Sequence, residues 1–295
     1  MAEQPQPSLP RTLGGQAVVE GVMIRGPEAM AVCVRRPNGE LACHTERNQT
    51  AGGLRRVPLL RGILALGETL SQGTRAMMWS AQVASGKEPE EKKAEERGGS
   101  VATTFGFASA LSLFLLGPAL STGRLERAIG QPRLAAALEG VVRIGIMTGY
   151  LVVVGFLPQA RRMFGYHGAE HRAIQAYEAG EPLEVESLRR FPNAHVRCGT
   201  SFLLTTSVVS TLLYAGIGPQ RLRRRLVSRL ALAPVVAALS YEAMRLGSTA
   251  KRGPLRWLFR PNLALQRLTT RDPDESQMEV ALAALKAALV AHETA

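Results

Sequence analysis

Residues 166–200, YHGAEHRAIQAYEAGEPLEVESLRRFPNAHVRCGT, form a polar segment between two strongly apolar ones. The segment contains three of the chain's five histidines and one of its three cysteines. Imidazole and thiolate groups are common protein ligands of zinc. The sequence therefore predicts apolar membrane hairpins on either side of a polar segment that carries the chemistry.

The segment begins with His167-Gly-Ala-Glu170-His171, which fits the H-x-x-E-H pattern. Residues four apart lie on one face of a helix, so the two imidazoles can bind one metal ion. Glu170 points to the side of that face, where metal-dependent hydrolysis needs a general base. The residues that follow favour a helix, and Gly180 with Pro182 predicts its end.

His195 and Cys198 are the best candidates for further ligands, because a turn around Pro192 and Asn193 can bring them back. Four nitrogen and sulfur ligands would make a closed structural site, whereas three would leave a catalytic position open. A reading without metal also stands. Histidines at a membrane surface often only form hydrogen bonds, and Cys198 can be a small core residue.

Composition argues against a nucleic-acid partner. The net charge is +12, but arginines crowd at the ends of apolar runs and aromatic residues make up only 5%. Attraction to anionic lipid headgroups explains this excess more economically. The cysteine number is odd and no pair looks like a disulfide, which predicts a reducing compartment. The first ten residues lack the pattern of a signal peptide.

The N-terminal part is predicted to be disordered over residues 1–11 and to form a cytoplasmic β region over 12–56. Residues 17–24 are a strand candidate interrupted at Gly21, and 29–46 are a hairpin that turns at Asn38-Gly39. The glycines at 14, 15, 21 and 26 are expected to serve turns or bulges.

A two-residue loop in this hairpin would place Val34 opposite Cys43 and Cys33 opposite His44. Cys33 and Cys43 would then point to opposite faces of the sheet. We therefore expect no bond between them.

Residues 57–84 read as an amphipathic helix that lies on the membrane surface or against another helix. Residues 85–100 read as a charged linker. The C-terminal region, 248–295, is predicted to be cytoplasmic and to contain an amphipathic helix capped by Asp272. Its apolar stripe is expected to dock on the cytoplasmic part, through Met278, Leu282, Leu285 and Leu289.

Four apolar runs are long enough to cross a bilayer: 101–120, 134–157, 199–218 and 226–246. They predict transmembrane hairpins over 101–157 and 199–247, joined by a cytoplasmic H-x-x-E-H loop over 158–198. The predicted fold class is α+β: a polytopic helical membrane protein with about four transmembrane helices and a small cytoplasmic β-containing cap.

Glu139 and Arg143 lie four residues apart within the second run and can pair. Charges nearer the ends of the last run are expected to snorkel to the interface: Arg229, Glu242 and Arg245.

The distribution of arginine places both termini and the 158–198 loop in the cytoplasm, on the inner face of the cytoplasmic membrane. Residues 221–225 break this rule with four arginines on the outer side. Either that loop is tolerated, or the last two spans form a re-entrant hairpin.

Four motifs in order resemble the YqhQ-like family of bacterial membrane proteins, a domain of unknown function described as a predicted metal-dependent enzyme: GGQAVVEGVMIRGP, YHGAEHRAIQAYE, HVRCGTSFL and LQRLTTRDP. The resemblance runs from about residue 12 to about residue 290. It implies metal dependence at His167, Glu170 and His171, with His195 and Cys198 nearby. The first motif contributes Gln16, Glu20 and Arg25.

The first functional hypothesis is a metal-dependent membrane enzyme, of hydrolytic type, at the cytoplasmic face. His167 and His171 would hold a divalent metal, zinc being the first expectation, and His195 or Cys198 would complete the site. Glu170 would move the proton. Glu20 or Arg25 would orient the substrate.

The alternative is a non-catalytic membrane assembly or regulatory factor whose His/Cys cluster is structural. A transporter ranks third, because no inverted repeat is visible. The expected partners are the lipid bilayer and either an unidentified protein or a second copy of the chain.

Overall fold

The computed structural model of the protein describes residues 13–48, 57–87, 117–118, 120, 127–195, 197–218, 220–249, 257 and 259–294. The predicted disordered N-terminus, most of the charged linker and nearly all of the first predicted span lie outside these residues.

Four antiparallel strands form one sheet in the order β1-β2-β3-β4: β1 (Gly14–Val18), β2 (Gly21–Arg25), β3 (Ala29–Arg35) and β4 (Leu41–Arg47). The expected single strand over 17–24 is wrong, because the chain reverses between Val18 and Gly21. Glu20 in this turn has a φ of 51°, a region that residues other than glycine rarely adopt.

The β3–β4 hairpin differs from the predicted register by one residue. Its loop is longer than two residues: the backbone N–H of Arg36 donates to the carbonyl of Glu40, and Gly39 has a φ of 89°. Cys33 therefore lies opposite Cys43, on the same face. The two are joined by a disulfide, which corrects the expected absence of a bond and removes the argument for a reducing compartment.

Eight helices lie within the part of the chain that the structure describes. Their bounds are α1 (Leu60–Ala84), α2 (Pro132–Val154), α3 (Pro158–Glu178), α4 (Val185–Arg189), α5 (Gly199–Ile217), α6 (Leu222–Thr249), α7 (Arg260–Gln266) and α8 (Glu275–Glu293).

The sheet is covered on both faces. On one side, Val32 and its neighbours pack against Ala76 and Val83 of α1. On the other, Ile24 and Ala31 pack against α3 and α8. Strands buried on both faces need apolar residues at every position, which β3 supplies with AMAVCV. Helices and sheet thus form a three-layer cap.

Helix α8 docks as the sequence predicts, with Met278, Leu282, Leu285 and Leu289 buried in this core. Its N-cap is Asp274 and not Asp272, because Asp274 and Gln277 form the capping box. Asp272 instead accepts hydrogen bonds from Arg172 and Asn193, both at Oδ1.

Three helices in the described part of the chain, α2, α5 and α6, are long and apolar enough to cross a membrane. Helix α1 connects them to the cap, since its C-terminal half covers the sheet while Gly62 faces Tyr241 of α6. The sequence predicts that α1 lies on the membrane surface or against another helix, and the described residues show it packed against another helix. Glu242, expected to snorkel, accepts from Arg61 of α1.

The predicted pair of Glu139 and Arg143 forms, with 2.7 Å between Oε1 and Nη2. Arg229 does not snorkel: it is 3% exposed and donates to the other oxygen of Glu139. A buried carboxylate on the neighbouring helix gives it a partner inside the bundle.

Candidate metal centre

Helix α3 presents two imidazoles on one face. It follows α2 after three residues, begins with Pro158, and ends at Glu178, just before Gly180 with a φ of 73°. His167 and His171 lie one turn apart, with ring centroids separated by 4.4 Å. The predicted helix and its predicted end are therefore confirmed.

The backbone fixes the orientation of both rings. Nδ1 of His167 lies 2.8 Å from the carbonyl oxygen of Thr269, and Nδ1 of His171 lies 2.5 Å from that of Asn193. A carbonyl oxygen only accepts, so each Nδ1 carries the hydrogen. Burial lowers the pKa of His171, which keeps this ring neutral. In each neutral ring, Nε2 is then the nitrogen that can accept a hydrogen bond or bind a metal.

Cys198 faces these lone pairs. Its Sγ lies 3.2 Å from Nε2 of His167, and the backbone N–H of Thr200 donates to the same sulfur at 3.4 Å. The residue is the N-cap of α5 and is 4% exposed. One ligand atom from each of His167, His171 and Cys198 lies within 4.8 Å of the other two, a spacing that can hold one metal ion.

Glu170 lies beside this group. Its Oε2 is 3.6 Å from Nε2 of His171 and 3.9 Å from Nε2 of His167. The residue is 3% exposed, and burial raises the pKa of its carboxyl. Gly15 of β1 makes the room, since a Cβ there would lie 2.5 Å from Oε1. Close approach, and not a turn or bulge, explains this glycine.

His195 is buried next to the group but faces another partner. Its Nε2 lies 3.7 Å from Oε2 of Glu178, and its ring centroid lies 5.6 Å from that of His171. The side chain of Gln266 holds its backbone by accepting from the N–H and donating to the carbonyl. Of the four predicted ligands, the structure brings three together.

Glu20 and Arg25 lie in ion pairs with other residues. Glu20 accepts from Arg162 and from the hydroxyl of Tyr166. Arg25 pairs with Glu68 of α1. These contacts do not include the two histidines or Cys198, so a role in orienting substrate stays a prediction.

Comparison with known proteins identifies the family. Residues 57–291 match the family described as "Protein of unknown function (DUF1385)". The chain belongs to this family. It is also 33% identical over 291 residues to "Uncharacterized protein YqhQ" of Bacillus subtilis (strain 168), covering 93% of this chain and 91% of that protein. No solved structure matches.

In this member of the DUF1385 family, two supports of the centre escaped the sequence argument. The carbonyls of Thr269 and Asn193 orient the histidines, but any residue type can supply a carbonyl, so no motif marks them. Gly168, between the histidines, admits the C-terminal segment, since a Cβ there would lie 2.2 Å from the carbonyl oxygen of Arg271. A glycine inside an otherwise helical motif was the available signal.

Proposed function

We propose that this protein is a membrane-bound, metal-dependent enzyme of hydrolytic type. One observation carries the proposal: two backbone carbonyls take the Nδ1 hydrogens of His167 and His171, which directs both Nε2 lone pairs toward Cys198. A histidine that binds a metal through one ring nitrogen usually donates a hydrogen bond from the other, which fixes the orientation of the ring.

The donor set fits zinc. Two imidazole nitrogens and one thiolate sulfur suit zinc, and three protein ligands are typical of catalytic sites with one open position. When bound, such an ion would act as a Lewis acid toward a substrate oxygen and lower the pKa of water.

Glu170 is the residue we propose as general base. Its carboxyl lies beside both ligand nitrogens, and its raised pKa brings it closer to the working pH of proton transfer. The walls around it exclude water, since His171 is 1% exposed. Glu20 and Arg25 remain our proposed substrate-orienting residues.

The chain direction supports a location for the centre at the membrane surface. The two histidines belong to α3, which follows α2 after three residues, and Cys198 directly precedes α5; α2 and α5 are both long and apolar enough to span. We propose that these helices cross the cytoplasmic membrane and that the centre lies at its inner face, where Arg161, Arg162, Arg189 and Arg190 are found.

The test is metal analysis of the full chain purified in a neutral detergent. We expect about one equivalent of zinc in the wild type and under a tenth of that in His167→Ala. His44→Ala, a histidine on β4, is the matched control and should keep the metal. Equal metal contents in wild type and His167→Ala would contradict the proposal.

A structural site is the second candidate, favoured by the deep burial of Glu170 and His171 and by the three segments that the cluster ties together. Glu170→Gln separates the two. In an enzyme it keeps metal and fold but loses hydrolysis of a panel of ester, amide and phosphoester substrates. In a structural site it changes only stability.

A further inference from the structure

A second buried polar cluster lies inside the bundle of α2, α5 and α6. Glu139 is 2% exposed, Arg143 is 6% exposed and Arg229 is 3% exposed. One carboxylate oxygen of Glu139 accepts from Arg143 and the other accepts from Arg229. Both oxygens of the carboxylate are therefore engaged.

The cluster has more donors than acceptors. Among its described residues, one carboxylate faces two guanidinium groups, which leaves an excess of positive charge in an apolar setting. Nη1 of Arg229 is buried and has no hydrogen-bond partner among the residues that the structure describes. A buried charged donor without a partner is costly, so a ligand that accepts from it would be bound favourably.

The other neighbours of the two guanidinium groups use few of their donors. The ring of Tyr214 lies 5.6 Å from Cζ of Arg143 and 4.9 Å from Cζ of Arg229. A ring face attracts a guanidinium but accepts none of the in-plane hydrogen bonds. Ser210 accepts from Arg143 and leaves Arg229 unaffected.

The cluster lies toward the end of the bundle opposite the metal centre. Helix α5 starts at the centre and runs away from it, and Ser210 and Tyr214 belong to its second half. Arg229 is roughly 10 Å along α6 from that helix's first residue, at 1.5 Å per residue. This depth is within reach of a lipid headgroup at the opposite membrane surface.

We propose that this cluster binds a phosphate group, supplied either by a phospholipid headgroup or by free phosphate. Proteins commonly bind phosphate oxygens through arginine guanidinium groups, whose forked donors match them. The site also gives a role to one arginine of the basic sequence around 221–229, which lies on the outer side in the predicted topology and breaks the positive-inside rule there.

The test measures thermal unfolding of the full, delipidated chain in neutral detergent. Short-chain phosphatidylglycerol, inorganic phosphate and chloride are compared at equal ionic strength. We expect a rise of about 5 °C with a phosphate-bearing ligand relative to chloride. A rise with the lipid alone identifies a headgroup site, and a rise with both identifies a phosphate site. No rise with either overturns the proposal.

Variants show whether the site is this cluster. Arg229→Gln should abolish the rise, while Arg223→Gln, exposed on the same helix, should leave it unchanged. Equal loss in both would mean unspecific attraction to anions and would overturn the proposal. Should Arg229→Gln fail to fold, Arg229→Lys keeps the charge but loses the forked donor, and should reduce affinity at least threefold.

Glu139→Gln gives the sharpest contrast. It removes the competing carboxylate, so phosphate should bind at least as tightly as in the wild type, although the variant unfolds earlier in chloride. A purely structural ion cluster predicts the lower melting temperature without any gain from phosphate.

Discussion

The two buried polar clusters of this protein differ in the kind of hydrogen-bonding atom that they leave available for a ligand. At the junction of cap and helices, backbone carbonyls take the N–H groups of His167 and His171, and lone pairs remain. Inside the bundle, the carboxylate of Glu139 accepts hydrogen bonds from Arg143 and Arg229, and Nη1 of Arg229 has no acceptor among the described residues. The first arrangement offers acceptor atoms, which would suit a cation, and the second offers a donor, which would suit an anion.

The largest effect is expected from removing the acceptor of the bundle cluster. Glu139→Leu leaves two buried guanidinium groups without their carboxylate, and breaking a buried ion pair in this way costs about 3–5 kcal/mol. We expect the melting temperature to fall by roughly 10 °C. A fall in melting temperature no larger than that seen for exposed charges would show that the arginines are solvated. It would contradict the description of this cluster as buried.

The next effect tests how the candidate metal centre is packed. Gly168→Ala places a Cβ 2.2 Å from the carbonyl oxygen of Arg271, so the C-terminal segment must move and His167 loses the carbonyl of Thr269. We expect a cost of about 1–3 kcal/mol and a lower zinc content. Gly67→Ala is the control, because nothing lies within 4 Å of its Cβ and alanine favours the helix. Equal behaviour of the two variants would contradict the close packing.

The metal-free protein should lose stability in acid. Burial lowers the pKa of His171 and of His195, so both are neutral when folded and take up protons on unfolding. Their contribution to the free energy of unfolding is therefore complete above the ordinary histidine pKa of about 6.5 and declines as the pH falls below it. Melting temperatures in chelator from pH 7.5 to 5.5 should show this slope, and His195→Gln should flatten it.

Glu170 contributes with the opposite sign, because burial raises its pKa. Its folded form holds the proton more firmly than the unfolded form, so its contribution is lost as the pH rises above about 4.5. Glu170→Gln should therefore steepen the acid slope. An unchanged slope in both variants would mean that these groups are exposed to water.

The smallest effect concerns Arg25, whose ion pair with Glu68 is partly exposed. Arg25→Gln should cost less than about 1 kcal/mol in stability. It should leave the zinc content unchanged but lower hydrolytic activity if Arg25 orients substrate. Full activity in this variant would remove Arg25 from the site.

Sequence reasoning succeeded where the signal is local. The shared face of His167 and His171 and the buried stripe of α8 follow from helical periodicity, and the end of α3 follows from the stop signal of Gly180 and Pro182. The pairing of Glu139 with Arg143 follows from the same spacing rule.

It failed where the outcome depends on one residue of loop length or on a distant partner. The longer β3–β4 loop moved Cys33 opposite Cys43, because a slip by one reverses every side chain. The side chain of Arg229 points into the bundle because it donates a hydrogen bond to Glu139 on another helix. Nothing in its own neighbourhood in the sequence shows this.

X-ray absorption at the zinc edge tests the central claim most directly, on the full chain purified with its native metal. We predict one sulfur at about 2.3 Å and two imidazole nitrogens at about 2.0–2.1 Å, with one further light atom. Cys198→Ser should remove the sulfur signal. A protein without metal, or a metal whose surroundings are the same in the wild type and in Cys198→Ser, would contradict the account.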